Sequence, residues 1–146
     1  MITASIVLYH TRLDETGVVI RCLNDSPITK IYVLDNSESP ALRDYALSLT
    51  SKVEYIHGHG NIGYGKAHNI ALKKALQLNS KYHLIINPDI SFRKGTIENL
   101  VNFMDTHEDV GSCMPDVVYP DGKEQYLCKL LPTPLDMFGR RLLPKK

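Results

Sequence analysis

Short apolar runs rich in β-branched residues alternate along this chain with longer segments of helical period, and few architectures accommodate that alternation. Ile2–His10 is the first run, apolar without interruption as in a strand covered on both faces. Apolar residues then recur at helical spacing over Leu13–Leu23, with Asp14 or Thr16 as candidate caps. Lys30–Leu34 reads as a second strand, a helix beginning near Pro40 follows, and Lys52–His57 reads as a third strand. A glycine-rich loop, Gly58–Gly65, precedes a helix over Ala67–Leu78. Tyr82–Ile86 is a fourth buried strand, followed by a helix from Gly95 to about Asp105 and a strand near Val110–Met114. Units of this kind imply an α/β fold, a mainly parallel twisted sheet flanked by helices.

The pattern changes after that. Asp121-Gly122 stands between two short β-like runs in Val117–Tyr126, the signal of a small β-hairpin near the C-terminus. Leu130–Lys146 holds three prolines and ends Leu-Leu-Pro-Lys-Lys. The expected organisation is one domain over 1–128 and a tail over 129–146, either a connection leading elsewhere or a short amphipathic segment. A length of 146 residues suits one domain with a real core.

Charge and cysteine content exclude several classes. A formal net charge of +1 gives no reason to expect nucleic acid as a partner. The cysteines, Cys22, Cys113 and Cys128, are odd in number and lack Cys-x-x-Cys spacing, which argues against a disulfide framework or a zinc site. No run approaches the roughly 18 apolar residues that would span a membrane. A cytoplasmic protein is expected.

In an open parallel sheet, ligands bind beyond the carboxyl ends of the strands. Four of the expected strands end there in polar or glycine-rich clusters: Tyr9-His10-Thr11, Asp35-Asn36-Ser37, the Gly58–Gly65 loop and Asn87-Pro88-Asp89. The Asp35 carboxylate suits a base N–H or ribose hydroxyls, although the same residues serve equally as a turn cap. The loop, with Asn61, Gly63 and Lys66, offers backbone N–H groups at a helix start, which suits a phosphate, though its spacing is neither a Walker A nor a G-x-G-x-x-G fingerprint. Asn87 and Asp89 place two oxygens around a rigid proline, a pair for a hard divalent cation bridged to a diphosphate, or simply an Asn-Pro-Asp turn. The six histidines show no metal-binding spacing, and His83 reads as a packed side chain.

With these residues in place, the sequence resembles family 2 of the inverting glycosyltransferases, especially rhamnosyltransferase-like bacterial members. S-I-V-L-Y-H-T resembles the family's opening strand that meets the base, and V-L-D-N-S-E-S its V-D-N-x-S segment. G-N-I-G-Y-G-K-A-H-N resembles the N-x-G-x-(A/G)-x-A-x-N stretch, and I-I-N-P-D-I the DxD position. G-S-C-M-P-D-V-V-Y-P-D-G-K resembles the family's glycine-bearing strand and hairpin. The resemblance implies a GT-A fold, a sugar-nucleotide-binding domain, and transfer from a UDP- or dTDP-linked sugar to a saccharide or lipid-linked acceptor in bacterial surface-polysaccharide synthesis. It implies nucleotide-sugar contacts by Tyr9, His10, Thr11, Asp35, Asn61, Gly63, Lys66 and Asn87, and Mg²⁺ or Mn²⁺ on Asp89. Thr11 stands where many members carry an aromatic, and Asn87 replaces the first Asp of the DxD. No residue matches the downstream catalytic base, so the expected part is a donor-binding half, with the acceptor and base portion outside these residues or supplied by a second copy in a homodimer. Peripheral association with the inner membrane face fits such an acceptor. A binding module without turnover and a small α/β interaction domain docking through its tail are the alternatives.

Overall fold

A computed structural model of the chain describes residues 1–125 and 127. Eight elements follow in order: β1 (Ile2–Leu8), α1 (Leu13–Asn24), β2 (Lys30–Asp35), α2 (Arg43–Leu49), β3 (Val53–Ile56), α3 (Tyr64–Gln77), β4 (Tyr82–Ile86) and α4 (Thr96–Thr106). The four strands form one sheet in the order β3-β2-β1-β4, and every pairing is parallel. Leu8 lies opposite Asp35, so β1 and β2 end together, and Ile6 lies opposite Ile86, so β4 ends two residues earlier; being parallel, all the carboxyl ends open onto one rim. This is the expected α/β architecture.

Alternation along the strands divides the core between two faces. Ala4, Ile6 and Leu8 of β1, with Ile31 and Val33 of β2, pack against Val19, Ile20 and Leu23 of α1, Ala46 of α2 and Ile97 of α4. The opposite face is covered by α3 through Ala67 and Ala71, which meet Val7, Tyr32 and Leu34. Small residues on α3 let the helix approach the sheet closely. Burying these side chains completely contributes on the order of 1.5–3 kcal/mol for each large aliphatic.

Several sequence expectations need correction. The first run is not apolar throughout: Thr3 and Ser5 project under α3 at 0% exposure. The strand expected near Val110–Met114 is absent. Val110 N donates instead to His107 O at 3.0 Å, and turn chemistry with Gly111 outweighs the apolar residues. Tyr82–Ile86 forms the expected strand but is only partly buried, with Ile85 49% exposed, because β4 borders the sheet. Neither Asp14 nor Thr16 caps α1. Arg12 holds the cap position, Asp14 pairs with its guanidinium at 3.0 Å, and the Thr16 hydroxyl donates back to Arg12 O. Pro40 stands before its helix in a turn closed by Arg43 N to Pro40 O at 3.0 Å, so α2 starts at Arg43.

A second unit begins at Met114. Its hairpin is present and short. Val118 and Glu124 form an antiparallel bridge, and Tyr119 N donates to Lys123 O across a turn in which Gly122 takes φ 84°. The tail expected over 129–146, with its amphipathic reading, lies outside the described residues. No helix among the described residues is long and apolar enough to cross a membrane.

Candidate functional site at the carboxyl rim of the sheet

The parallel register brings all four strand-end clusters onto the same rim. At the end of β1 the chain turns sharply. His10 adopts φ 49°, uncommon for a residue with a side chain, and its N–H donates to Ser37 Oγ at 3.0 Å. Tyr9 and His10 are exposed, their rings edge to face at 4.3 Å, and Thr11 Oγ1 accepts from Tyr9 N. The strained turn thus presents an aromatic pair beside β2.

Asp35 closes β2 and is 2% exposed. Its Oδ1 accepts from Ser37 N at 2.9 Å, and its Oδ2 accepts a short hydrogen bond from Tyr55 Oη on β3. Burial first, and then the adjoining Asp35, hold the Tyr55 phenol far above its ordinary pKa, so it stays a donor. His57 donates from Nε2 to Ser37 O at 3.0 Å, tying the end of β3 to the same turn. Asp35 is therefore both a turn cap and the keystone of a fixed shelf at the β2–β3 end.

Gly63 sets where α3 begins. Its φ of 83° with ψ 161° is accessible essentially to glycine alone, and the helix starts at Tyr64, three residues before the sequence suggested. Asn61 Oδ1 accepts from Gly63 N at 3.1 Å. No side chain caps α3 and no acidic residue stands in its first turn, so its first N–H groups face the rim together with exposed Lys66. A helix terminus of this kind suits an anion.

Asn87 and Asp89 follow β4, both exposed. Tyr64 Oη donates to Asn87 Oδ1 at 2.8 Å, linking the start of α3 to the end of β4. The Tyr64 phenol pKa is raised by burial and then by Asp89. No group of three acidic, His or Cys side chains able to cage a metal exists among the described residues. The oxygens available at this corner are those of Asp89 and Asn87, and a hard divalent cation held by so few protein oxygens takes the rest of its shell from phosphate and water. Asp35 and Asn87 are separated by the width of β1, roughly 10 Å over two strand spacings. An extended nucleoside diphosphate separates base from terminal phosphate over a comparable span.

Beneath α3 runs a partly buried hydrogen-bonded chain that the sequence did not reveal. Ser80 Oγ donates to Tyr82 O at 2.8 Å, because a carbonyl only accepts. Thr3 Oγ1 donates to Ser80 at 3.1 Å and so accepts from His83 Nδ1 at 2.7 Å. A neutral His83 then accepts at Nε2 from Ser5 Oγ at 2.8 Å, and Ser5 accepts from His68 Nδ1 at 2.7 Å. The tautomers are assigned from this network. Burial pushes both imidazoles down to about 4, His83 also lowering His68, which keeps them neutral. His68 Nε2 is left as an enclosed lone pair with no partner among the described residues. The missed signal was Thr3 and Ser5, spaced by two inside an apolar run and matched by His83 and His68. Tyr55 and Tyr64 were missed as well, since nothing local to either marks it as a partner of Asp35 or Asn87.

A groove of about 240 Å³ follows β4 and α4, and a cavity of about 380 Å³ lies by Thr29, Glu54 and Gln77. Neither touches the rim clusters. The rim is an open shelf, and its chemistry rather than its volume identifies it.

A parallel sheet ordered β3-β2-β1-β4 and flanked by helices is consistent with the Rossmann-like GT-A fold. Residues 6–143 match glycosyl transferase family 2, and the chain belongs to that family. Its fold is similar to the crystal structure of S. aureus TarS 1-349, with TM-score 0.56 and 21% identity over 74% of this chain and 33% of that one. It is likewise similar to the crystal structure of S. aureus TarS, with TM-score 0.53 and 20% identity over 73% of this chain and 20% of that one. The chain thus spans a third of the length of the first and a fifth of the second. No curated protein matches it.

Proposed function

We propose that this chain holds the donor of a glycosyl transfer, a UDP- or dTDP-linked sugar. The rhamnosyltransferase-like character of its motifs keeps the dTDP-linked donor beside the UDP-linked one. The observation that carries the reading is that Asp35, the uncapped start of α3, and Asn87 with Asp89 all follow the carboxyl ends of parallel strands of one sheet. The nucleoside lies at the β1–β2 end, near Tyr9, His10, Thr11 and Asp35. The diphosphate meets the first turn of α3 and Lys66, with Asn61 and Gly63 shaping the loop. Asp89, assisted by Asn87, would hold Mg²⁺ or Mn²⁺, which when bound neutralises charge on the departing diphosphate. The acceptor is a saccharide or lipid-linked sugar, and transfer inverts the anomeric carbon. Bacterial surface-polysaccharide assembly on the inner membrane face is the setting we infer.

Among the described residues no carboxylate is assigned the role of general base. Asp121 Oδ1 accepts from Lys123 N, and the neighbouring Lys123 holds its carboxyl below the usual range, so it serves the hairpin turn. A nucleotide-sugar-binding module without turnover is therefore the second reading; turnover would need a base from outside the described residues, on a further segment or another copy of the chain.

Calorimetric titration of UDP and dTDP, with and without Mn²⁺ or Mg²⁺, tests the donor site. Metal-dependent binding lost in Asp89→Ala supports it. Absence of binding under every condition overturns it. Release of free sugar from UDP-glucose or dTDP-glucose, or transfer to an added glycan, separates the enzyme from the module.

A further inference from the structure

Three enclosed side-chain atoms lack a partner among the described residues: Asn36 Oδ1, His59 Nε2 and His68 Nε2. A buried polar atom left unpaired is costly, and in a folded chain it asks for an explanation. Two of them belong to α3 or its entry. Asn36 alternates with Tyr32 and Leu34, which pack against α3, His59 belongs to the loop entering it, and His68 lies in it one turn beyond Tyr64. All three are acceptors as assigned. His59 donates from Nδ1 to Gly60 O at 2.8 Å, which leaves Nε2 bare, and the chain ending at Tyr82 O does the same for His68. A bare imidazole nitrogen repels a phosphate and welcomes a hydroxyl.

We propose that His68 Nε2 accepts a hydrogen bond from a sugar hydroxyl of the bound nucleotide, on the ribose or on the transferred hexose. The assignment rests on the donor-site reading above. The first turn of α3 then divides the labour: its N–H groups meet the diphosphate, and His68, one turn deeper, reads a neutral hydroxyl. Tyr64 is the cover. Its ring packs edge to face on His68 at 4.3 Å and is itself 48% exposed, and its hydroxyl is held at the rim by Asn87. A ligand that claims Asn87 frees the phenol to turn outward. The Ser5–His83–Thr3 chain engages Nδ1 as the donor, so the acceptor nitrogen Nε2 is the one left unpaired beside the Tyr64 ring.

The test combines ¹⁵N-histidine NMR of the whole chain with calorimetry, using UDP, dTDP, UDP-glucose and dTDP-glucose as probes. The free protein should show His68 as the Nδ1–H tautomer, and its Nε2 resonance should move on binding. His68→Asn keeps a donor to Ser5 and removes Nε2, and it should weaken binding about tenfold. Equal weakening of UDP and UDP-glucose places the hydroxyl on the ribose, and weakening of the conjugate alone places it on the hexose. Nucleotide binding with an unmoved His68 Nε2 resonance overturns the proposal even where His68→Asn fails to fold, as does undiminished affinity in folded His68→Asn. Failure of every probe to bind wild-type protein sinks the donor-site reading itself, and this assignment with it.

Discussion

Tyr55 donates its phenolic proton to Oδ2 of Asp35 across the β2–β3 pairing, and Ser37 N occupies Oδ1, so both oxygens of the buried carboxylate are engaged before any ligand arrives. Tyr55→Phe removes one donor and leaves a buried charged oxygen unpaired. It should cost about 1–3 kcal/mol, read as a lower urea midpoint. Because the same carboxylate anchors the turn beneath the proposed nucleoside, the variant should also bind UDP more weakly. An unchanged midpoint would mean that Asp35 does not depend on Tyr55.

Gly63 offers a second measurement of how the rim is built. A Cβ there would meet nothing within 4 Å, so crowding is no obstacle and only the backbone conformation resists substitution. Gly63→Ala should destabilise the fold by about 1–3 kcal/mol and disturb the start of α3. An equal exchange of the Gly58 side of the loop is not required for this, since the helix boundary lies at Gly63. Amide exchange in the first turn of α3 should quicken, and an alanine variant of wild-type stability would contradict the boundary.

The buried His68 and the half-buried His83 give stability a defined pH dependence. His68 and His83 titrate at about 4 in the folded chain, against about 6.5 for histidine unfolded. Between those values the unfolded chain takes up protons that the folded chain refuses. Stability is therefore fully present above pH ~6.5 and falls as pH drops toward ~4, by up to about 1.4 kcal/mol per pH unit per imidazole. The two are coupled, so their losses do not simply add. Urea midpoints taken between neutral pH and about pH 5 should fall, and His83→Asn should flatten the slope. A pH-independent midpoint would contradict a neutral pair.

Asp89 is exposed and pairs with no cation among the described residues, so its substitution should separate function from stability. Asp89→Ala should melt within about 0.5 kcal/mol of wild type, the usual range for such surface positions. A large loss of stability would assign Asp89 to the fold instead.

The sheet was legible because buried parallel strands are written as local apolar runs, and the punctuation after each one marks the rim. The positions of Asp35, Asn87 and Asp89 at the strand ends were legible for the same reason, as polar residues ending such runs. What local reading missed is what distant residues do to one another. Thr3 and Ser5 were absorbed into an apolar run because only α3 and β4, which bring His68 and His83, give them partners. Val110–Met114 looked like a strand because its composition suits one, whereas the turn closed by Val110 and His107 leaves it irregular. The start of α3 was placed late because propensity favours Ala67 as a helix former, while the conformation of Gly63 fixes the boundary.

A crystal of the chain with UDP and Mn²⁺, examined for anomalous scattering by the metal, tests the donor site most directly. The account predicts one manganese peak at coordination distance from Asp89, bridged to a diphosphate at the first turn of α3, with the nucleoside over the β1–β2 end. Manganese bound elsewhere, or a nucleotide seated away from this rim, would contradict it.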